Sequence, residues 1–288
     1  MSEALDEFTL MDRPEKNDPL GVLFWICLGW LGLNIFGAVF ANLLPLPDPN
    51  FGNYSAINAS PGLHHLLGTD DLGRDIFSRI VFGSRVSLAV GAGAMIIGFG
   101  IGAPLGMLAA YRRGRFDAIL TALMYVLLAF PAIIATIAVL SFWTPRALLK
   151  IIIVIGLASV PVVYRVIRTA TMNIATKDYV IAARIQGATD RRILFKELLP
   201  NVAPIGVSFL LIGVATVVIL EGALAFLGLS VNPPTPSWGN MINESRTVMA
   251  QNPWLVIFPS LAMCLLLLCL NFIGDRLRSH FDVTEVKL

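Results

Sequence analysis

The 288-residue sequence is poor in charge: Asp, Glu, Lys and Arg make up 14% of it, about half the usual share of a soluble domain. So few charges cannot solvate a surface of this size, which excludes a water-soluble enzyme and a disordered chain. Neither sign is in excess. Its 21 basic and 19 acidic residues leave a net +2, so no polyanionic partner, nucleic acid included, is implied. Cysteine is scarce, and Cys27, Cys264 and Cys269 all lie inside apolar runs, which excludes a disulfide framework and a zinc site. Of the three histidines, His64 and His65 are adjacent with no third or fourth ligand nearby in sequence, and they read as solvated loop residues. A Gly-x-x-x-x-Gly-Lys-Ser/Thr stretch is also missing. The chain therefore cannot cradle ATP phosphates by that loop, and any such energy must arrive from another subunit.

What is abundant is apolar: 56% of residues are hydrophobic and the mean hydropathy is +0.76. A helix crossing about 30 Å of hydrocarbon needs roughly 20 apolar residues. Charge-free gaps of suitable kind run from Asp18 to Asp48, Arg85 to Arg112, Asp117 to Arg146, Lys150 to Arg165, Glu197 to Glu221 and Arg246 to Asp275. The fourth gap is short, but its helix can continue past Arg165, whose long side chain snorkels to the interface. Continuous apolar runs at 151–163 and 203–220 lack two-residue alternation, so the expectation is helices and not a barrel. The fold class is thus all-α, a polytopic membrane protein with six transmembrane helices. With the N- and C-termini cytoplasmic, 15 of the 21 basic residues fall inside and 6 outside, the bias that the positive-inside rule requires. The expected organisation is a tail at 1–19, a first span at 20–44, an extracytoplasmic segment at 45–80, a five-helix core at 81–275 and a tail at 276–288. Glycines 91, 93, 98, 100, 102 and 106 in the second span read as a tightly packed helix face and not as a nucleotide loop. Kinks are expected near Pro104, Pro131 and Pro161.

Residues 177–201, KDYVIAARIQGATDRRILFKELLPN, are too polar to cross the membrane. Tyr179 to Gln186 is helix-forming, Gly187 interrupts, Asp190 can cap a second short helix with Leu194 and Leu198 on one face, and Pro200 ends it. This segment resembles the coupling loop of ABC importer permeases: Ala182, Ala183, Gly187, Leu199 and Pro200 match the pattern, while Ile181 stands where the family has Glu. The resemblance implies a type I importer permease fold and a loop, 177–200, that seats in a cleft of an ATPase subunit. Its docking set is Ala182, Ala183, Arg184, Gly187, Ala188, Asp190, Arg191, Leu199 and Pro200.

Residues 64–91 resemble the segment before the second helix of oligopeptide and dipeptide importer permeases of the C-type, through His65, Gly68, Thr69, Asp70, Gly73, Arg74, Asp75, Ser78 and Arg79. EGALAFLGL at 221–229 and PPTPSWGNM at 233–241 form a third matching block. Gly68, Thr69, Asp70, Gly73, Arg74 and Asp75 constitute an outer-face motif. Alongside the resemblance stands a plainer reading, with Thr69 or Asp70 capping a helix, Arg74 and Asp75 paired at the surface, and Trp238 anchored at the interface. Glu221 is the one acidic residue well inside a span. Such a carboxylate faces a watery cavity or a partner: it lines the translocation path, or it bonds a neighbouring helix or the second permease.

These readings converge on a permease subunit of an ATP-driven importer in the bacterial inner or plasma membrane, moving dipeptides or oligopeptides by alternating access. The implied partners are a second homologous permease, two ATP-binding subunits and an extracytoplasmic substrate-binding protein. The chain itself is expected to be non-catalytic and to hold no cofactor or metal, with ATP and Mg bound by the ATPase subunits. A nickel chelate or another solute is the alternative cargo, and an ion-coupled carrier the alternative class.

Overall fold

A computed structural model describes residues 21–144 and 146–285; the expected N-terminal tail and the last three residues lie outside them. The described chain is nearly all helical. α1 spans Val22–Phe40, α2 Ile76–Arg112, α3 Gly114–Ala129, α4 Ala132–Phe142 and α5 Leu148–Ile174. α6, Asp178–Ile185, lies in the polar loop; α7 is Leu199–Phe226, α8 Trp238–Glu244 and α9 Trp254–Glu285. α2 begins inside the segment 45–80 expected to precede the core, because Asp75 caps it there.

Five helical stretches are long and apolar enough to cross a membrane, namely α1, α2, α5, α9 and the continuous run Asp190–Phe226 that contains α7. The third expected span is different. It is split into α3 and α4, which meet at 76°, and at 16 and 11 residues each is too short to cross alone. Pro131 makes the break. Its ring forces Phe130 out of the helical region, to φ −88° and ψ 124°, and its carbonyl starts the next helix by accepting from Ile134 and Ala135. Pro104 and Pro161 instead sit inside continuous helices.

α2 packs face to face with α5, and small residues set how closely. A Cβ at Gly102 would lie 2.7 Å from the carbonyl oxygen of Val160, and one at Gly106 2.6 Å from that of Tyr164. Those contacts are backbone, so a larger residue would push the helices apart. Gly98 and Ala94 continue the same buried stripe, the device that replaces hydrophobic driving force inside lipid. α7 closes on the other side of α2, where Gly91 leaves room for Val214 and Val218. α1 lies at the edge, mostly exposed, with Phe24 and Cys27 buried against Cys269 and Ile273 of α9. Arg85 pins its end: Nε donates to the carbonyl of Ala38 at 2.7 Å, satisfying one of the orphan acceptors of a helix C-terminus.

At 37 residues, α2 is about 55 Å long at 1.5 Å per residue. That exceeds the hydrocarbon thickness, so its two ends reach the two sites described next.

Candidate functional site

At the outer end, residues 52–79 fold into a knot around the expected motif. Gly68 and Gly73 have φ of +83° and +74°, a region where a side chain is strained. Thr69 Oγ1 accepts from the amide of Ala59 at 2.8 Å and donates to the carbonyl of Ala56. Asp70 does three things. One oxygen accepts from the amides of Leu72 and Arg74, at 3.0 and 2.8 Å, and the other meets Arg74 Nε at 2.6 Å. Arg74 and Arg79, 5% and 1% exposed, both place Nη2 2.9 Å from one oxygen of Glu244 at the end of α8. Arg79 also approaches Asp70, at 3.6 Å, and donates to the carbonyl of Pro49. Two buried cations are thus held by two carboxylates, the compensation that burying charge requires.

The structure departs from the plainer expectations in four places. Asp75 is not the partner of Arg74: it accepts from the amide of Ser78 at 2.8 Å, capping α2, and meets His65 Nδ1 at 2.9 Å. Neither Thr69 nor Asp70 is the cap, and His65 is half-buried and not simply solvated. Trp238 is fully buried, with Nε1 donating to the carbonyl of Ile80 at 2.9 Å, and so anchors α8 to α2 and not the chain to the interface. Glu244 gave no signal in the sequence, since its partners lie 165 and 170 residues away.

Glu221 sits beside this assembly. It is 1% exposed, and its carboxylate accepts from Ser230 at 2.5 Å, Ser237 at 2.9 Å and Ser87 at 3.4 Å. Ser237 also caps α8 by accepting from the amide of Asn240. The carboxylate therefore joins α2, α7 and α8 within the chain, the hydrogen-bonded arrangement of the two weighed for it.

At the cytoplasmic end, α6 closes with a Schellman motif. The amide of Ala188 donates to the carbonyl of Ala183 and that of Gly187 to Arg184, both at 3.0 Å. Gly187 has φ +81°, and nothing lies within 4 Å of where its Cβ would be. The glycine is needed for the turn and not for space. Thr189, not Asp190, caps the next turn by accepting from the amide of Arg192. Asp190 is instead bound by Tyr111 Oη at 2.6 Å, while the Arg184 guanidinium lies over the Tyr111 ring at 5.3 Å. The end of α2 thereby clamps both halves of the loop, a role that no sequence pattern marked.

Pro200 does not end the second short helix. Residues Ile193–Leu198 form π-helical turns that run on into α7, and Pro200 follows them directly, inside the continuous run Asp190–Phe226. The second half of the loop is therefore an extension of a membrane helix. Val180, Ile193 and Leu198 root it in the core, at 1%, 0% and 0% exposed. Ile181, Ile185 and Phe195 point out, at 46%, 81% and 57% exposed, beside the exposed Arg184, Arg191 and Arg192. Ala182 and Pro200 are exposed too, and Ala183 and Ala188 half-buried. An apolar, cationic face on a stiff lever is suited to docking against another protein.

The chain matches the family described as "Binding-protein-dependent transport system inner membrane component" over residues 102–283. It belongs to that family. It is 39% identical over 240 residues to the glutathione transport system permease protein GsiD of Pectobacterium atrosepticum, covering 83% of this chain and 79% of that one. Its likeness to GsiD of Escherichia coli O6:K15:H31 is also 39%, over 251 residues, 87% of this chain and 82% of that one. Among solved structures, inward facing conformations of the MetNI methionine ABC transporter match with a TM-score of 0.60 at 23% identity, covering 70% of this chain and 96% of that chain. The last shows the fold alone. This permease is accordingly an inner membrane component of an ABC importer.

Proposed function

We propose that this permease carries peptides inward by alternating access, with glutathione, a tripeptide, as the first solute to test. It works with a second homologous permease, two ATP-binding subunits and an extracytoplasmic binding protein. The ATPase stroke enters through the loop 177–200. ATP and Mg belong to the partner subunits, and the permease contributes no catalytic group.

The observation that carries this reading is the clamped loop. Its apolar residues Ile181, Ile185 and Phe195 are exposed, yet the segment is fixed by Tyr111 and continuous with α7. A force applied to such a face moves the helix behind it. Ile181 then adds apolar contact where the family's Glu would add charge. The likeness to GsiD supports a peptide cargo, and the outer-face motif supports the same subfamily.

The test is purification and reconstitution of the whole complex with its binding protein. ATPase subunits should copurify, and glutathione uptake should require ATP. Ile185→Glu should weaken ATPase copurification and cut uptake at least tenfold, while the permease pair still assembles. Uptake that followed an ion gradient and ignored ATP would sink the proposal.

A further inference from the structure

A groove runs between α5 and α7 from the middle of the membrane to its cytoplasmic side. Its deeper part is a cavity of about 250 Å³, walled by Val162, Leu220 and other apolar residues, with the hydroxyl-bearing Ser159 and Thr216 among them. Its inner part is a cavity of about 540 Å³ lined by Arg165, Arg168, Asn173, Ser208, Tyr125 and Arg278. Phe209 and Ile212 wall both parts, so the two lie next to each other along α7.

The arginines of the inner part are not equivalent. Arg168 is neutralised by Asp117, with Nε and Nη2 each 2.6 Å from one carboxylate oxygen. Arg278, from α9, has interactions of its own. Arg165 stands one turn, about 4.5 Å, deeper in the membrane than Arg168. It is exposed, and among the described residues its guanidinium has no ion-pair or hydrogen-bond partner. Arginine at membrane depth is costly and is retained where it faces water or an anion. Arg165 is thus a cation without an ion-pair partner among the described residues, at the place where the apolar lining becomes polar.

We infer that Arg165 is a station for the free carboxylate of a solute in transit at the inner end of this groove, an inference that rests on the peptide reading above. The apolar part gives a peptide side chain or backbone little to hold, so the solute slides. At Phe209 and Ile212 the surroundings change, and a carboxylate meets a planar fork of donors shaped for it. An anion moving inward does so against an inside-negative potential, and a cation at the inner end lowers that last barrier. Because Arg165 is exposed and stands alone, it binds weakly enough for the solute to leave.

The test uses the full complex with its binding protein, reconstituted in liposomes containing anionic lipid. Uptake of glutathione is compared with uptake of glutathione diethyl ester, in which both carboxylates are masked, each at saturating loaded binding protein. Arg165→Gln should lower maximal glutathione uptake about tenfold and ester uptake less than twofold, with ATPase activity in the absence of solute unchanged. Arg165→Lys, which keeps the charge, should restore most of the loss and guards against a variant that simply misassembles. Equal losses for the two solutes would reassign Arg165 to structure, and no loss would remove it from the path. A loss that vanishes in phosphatidylcholine liposomes would assign it to an anionic lipid headgroup. Each of these overturns the inference while leaving peptide transport standing. If the unaltered complex takes up neither solute, the peptide reading fails first and this inference with it.

Discussion

The two ends of α2 solve opposite problems with the same residue types. At the outer end, Arg74 and Arg79 are buried and share Asp70 and Glu244, so the charges are spent on one another. At the cytoplasmic end, Arg184, Arg191 and Arg192 are exposed, and Tyr111 ties the loop that bears them to α2. Removing one partner from a buried ion network is far more destabilising than removing a surface contact. The outer knot is therefore built to keep one shape, and the inner loop to present charge and apolar surface to something else while staying attached to its helix.

That contrast is tested most severely by Asp70→Ala. It takes the acceptor from two backbone amides of the turn and leaves Arg74 and Arg79 with Glu244 as their one ion-paired carboxylate, at a cost of about 3–5 kcal/mol. The expected outcome is a sharp fall in the amount of permease in the membrane and in the thermal stability of the purified complex. Asp70→Asn, which keeps the amide acceptor, should lose less. A full-strength complex carrying Asp70→Ala would show that the outer network is not a lock.

The sequence made the helices legible because charge is costly in lipid, so the gaps between charges mark the spans directly. It also marked Pro131 as a point of distortion, though not that α3 and α4 would turn by 76° there while the helices around Pro104 and Pro161 run on. The outer motif could be found as a cluster but not wired. Arg74 finds Glu244 across 170 residues, and adjacency in sequence pointed to Asp75 instead. Glu221 stood out as a charge in an apolar run, yet its partners Ser87, Ser230 and Ser237 are ordinary serines whose meaning comes only from the fold. In the loop the pattern of small residues and one glycine was readable, while Tyr111 lay in a different helix with nothing to distinguish it.

At the inner end the expected effects are smaller on stability and larger on coupling. Gly187→Val forces a β-branched residue to φ +81°, which costs roughly 1–2 kcal/mol, in a place with open space around it. The complex should assemble, while the population of the left-handed turn, and with it ATPase stimulation by loaded binding protein, falls roughly five- to thirtyfold, the range such an energy implies. Gly187→Asn, tolerated in this backbone region, should retain more stimulation than Val. A valine variant with full stimulation would mean that the turn does not need its left-handed residue to dock.

The smallest change, Tyr111→Phe, probes the clamp itself. It keeps the ring beneath Arg184 and deletes only the 2.6 Å bond to Asp190. Both groups are exposed to solvent, so the loss is expected at about 1 kcal/mol or less, with membrane levels and melting temperature unchanged. Its consequence should appear where the loop and α2 must move together, as uptake per ATP hydrolysed reduced up to about fivefold with hydrolysis itself intact. Asp190→Asn keeps an acceptor for the tyrosine and should sit between the two. If Tyr111→Phe instead lowered stability as much as a change in the outer knot, the clamp would be part of the frame, and the division between a locked end and a presenting end would fail.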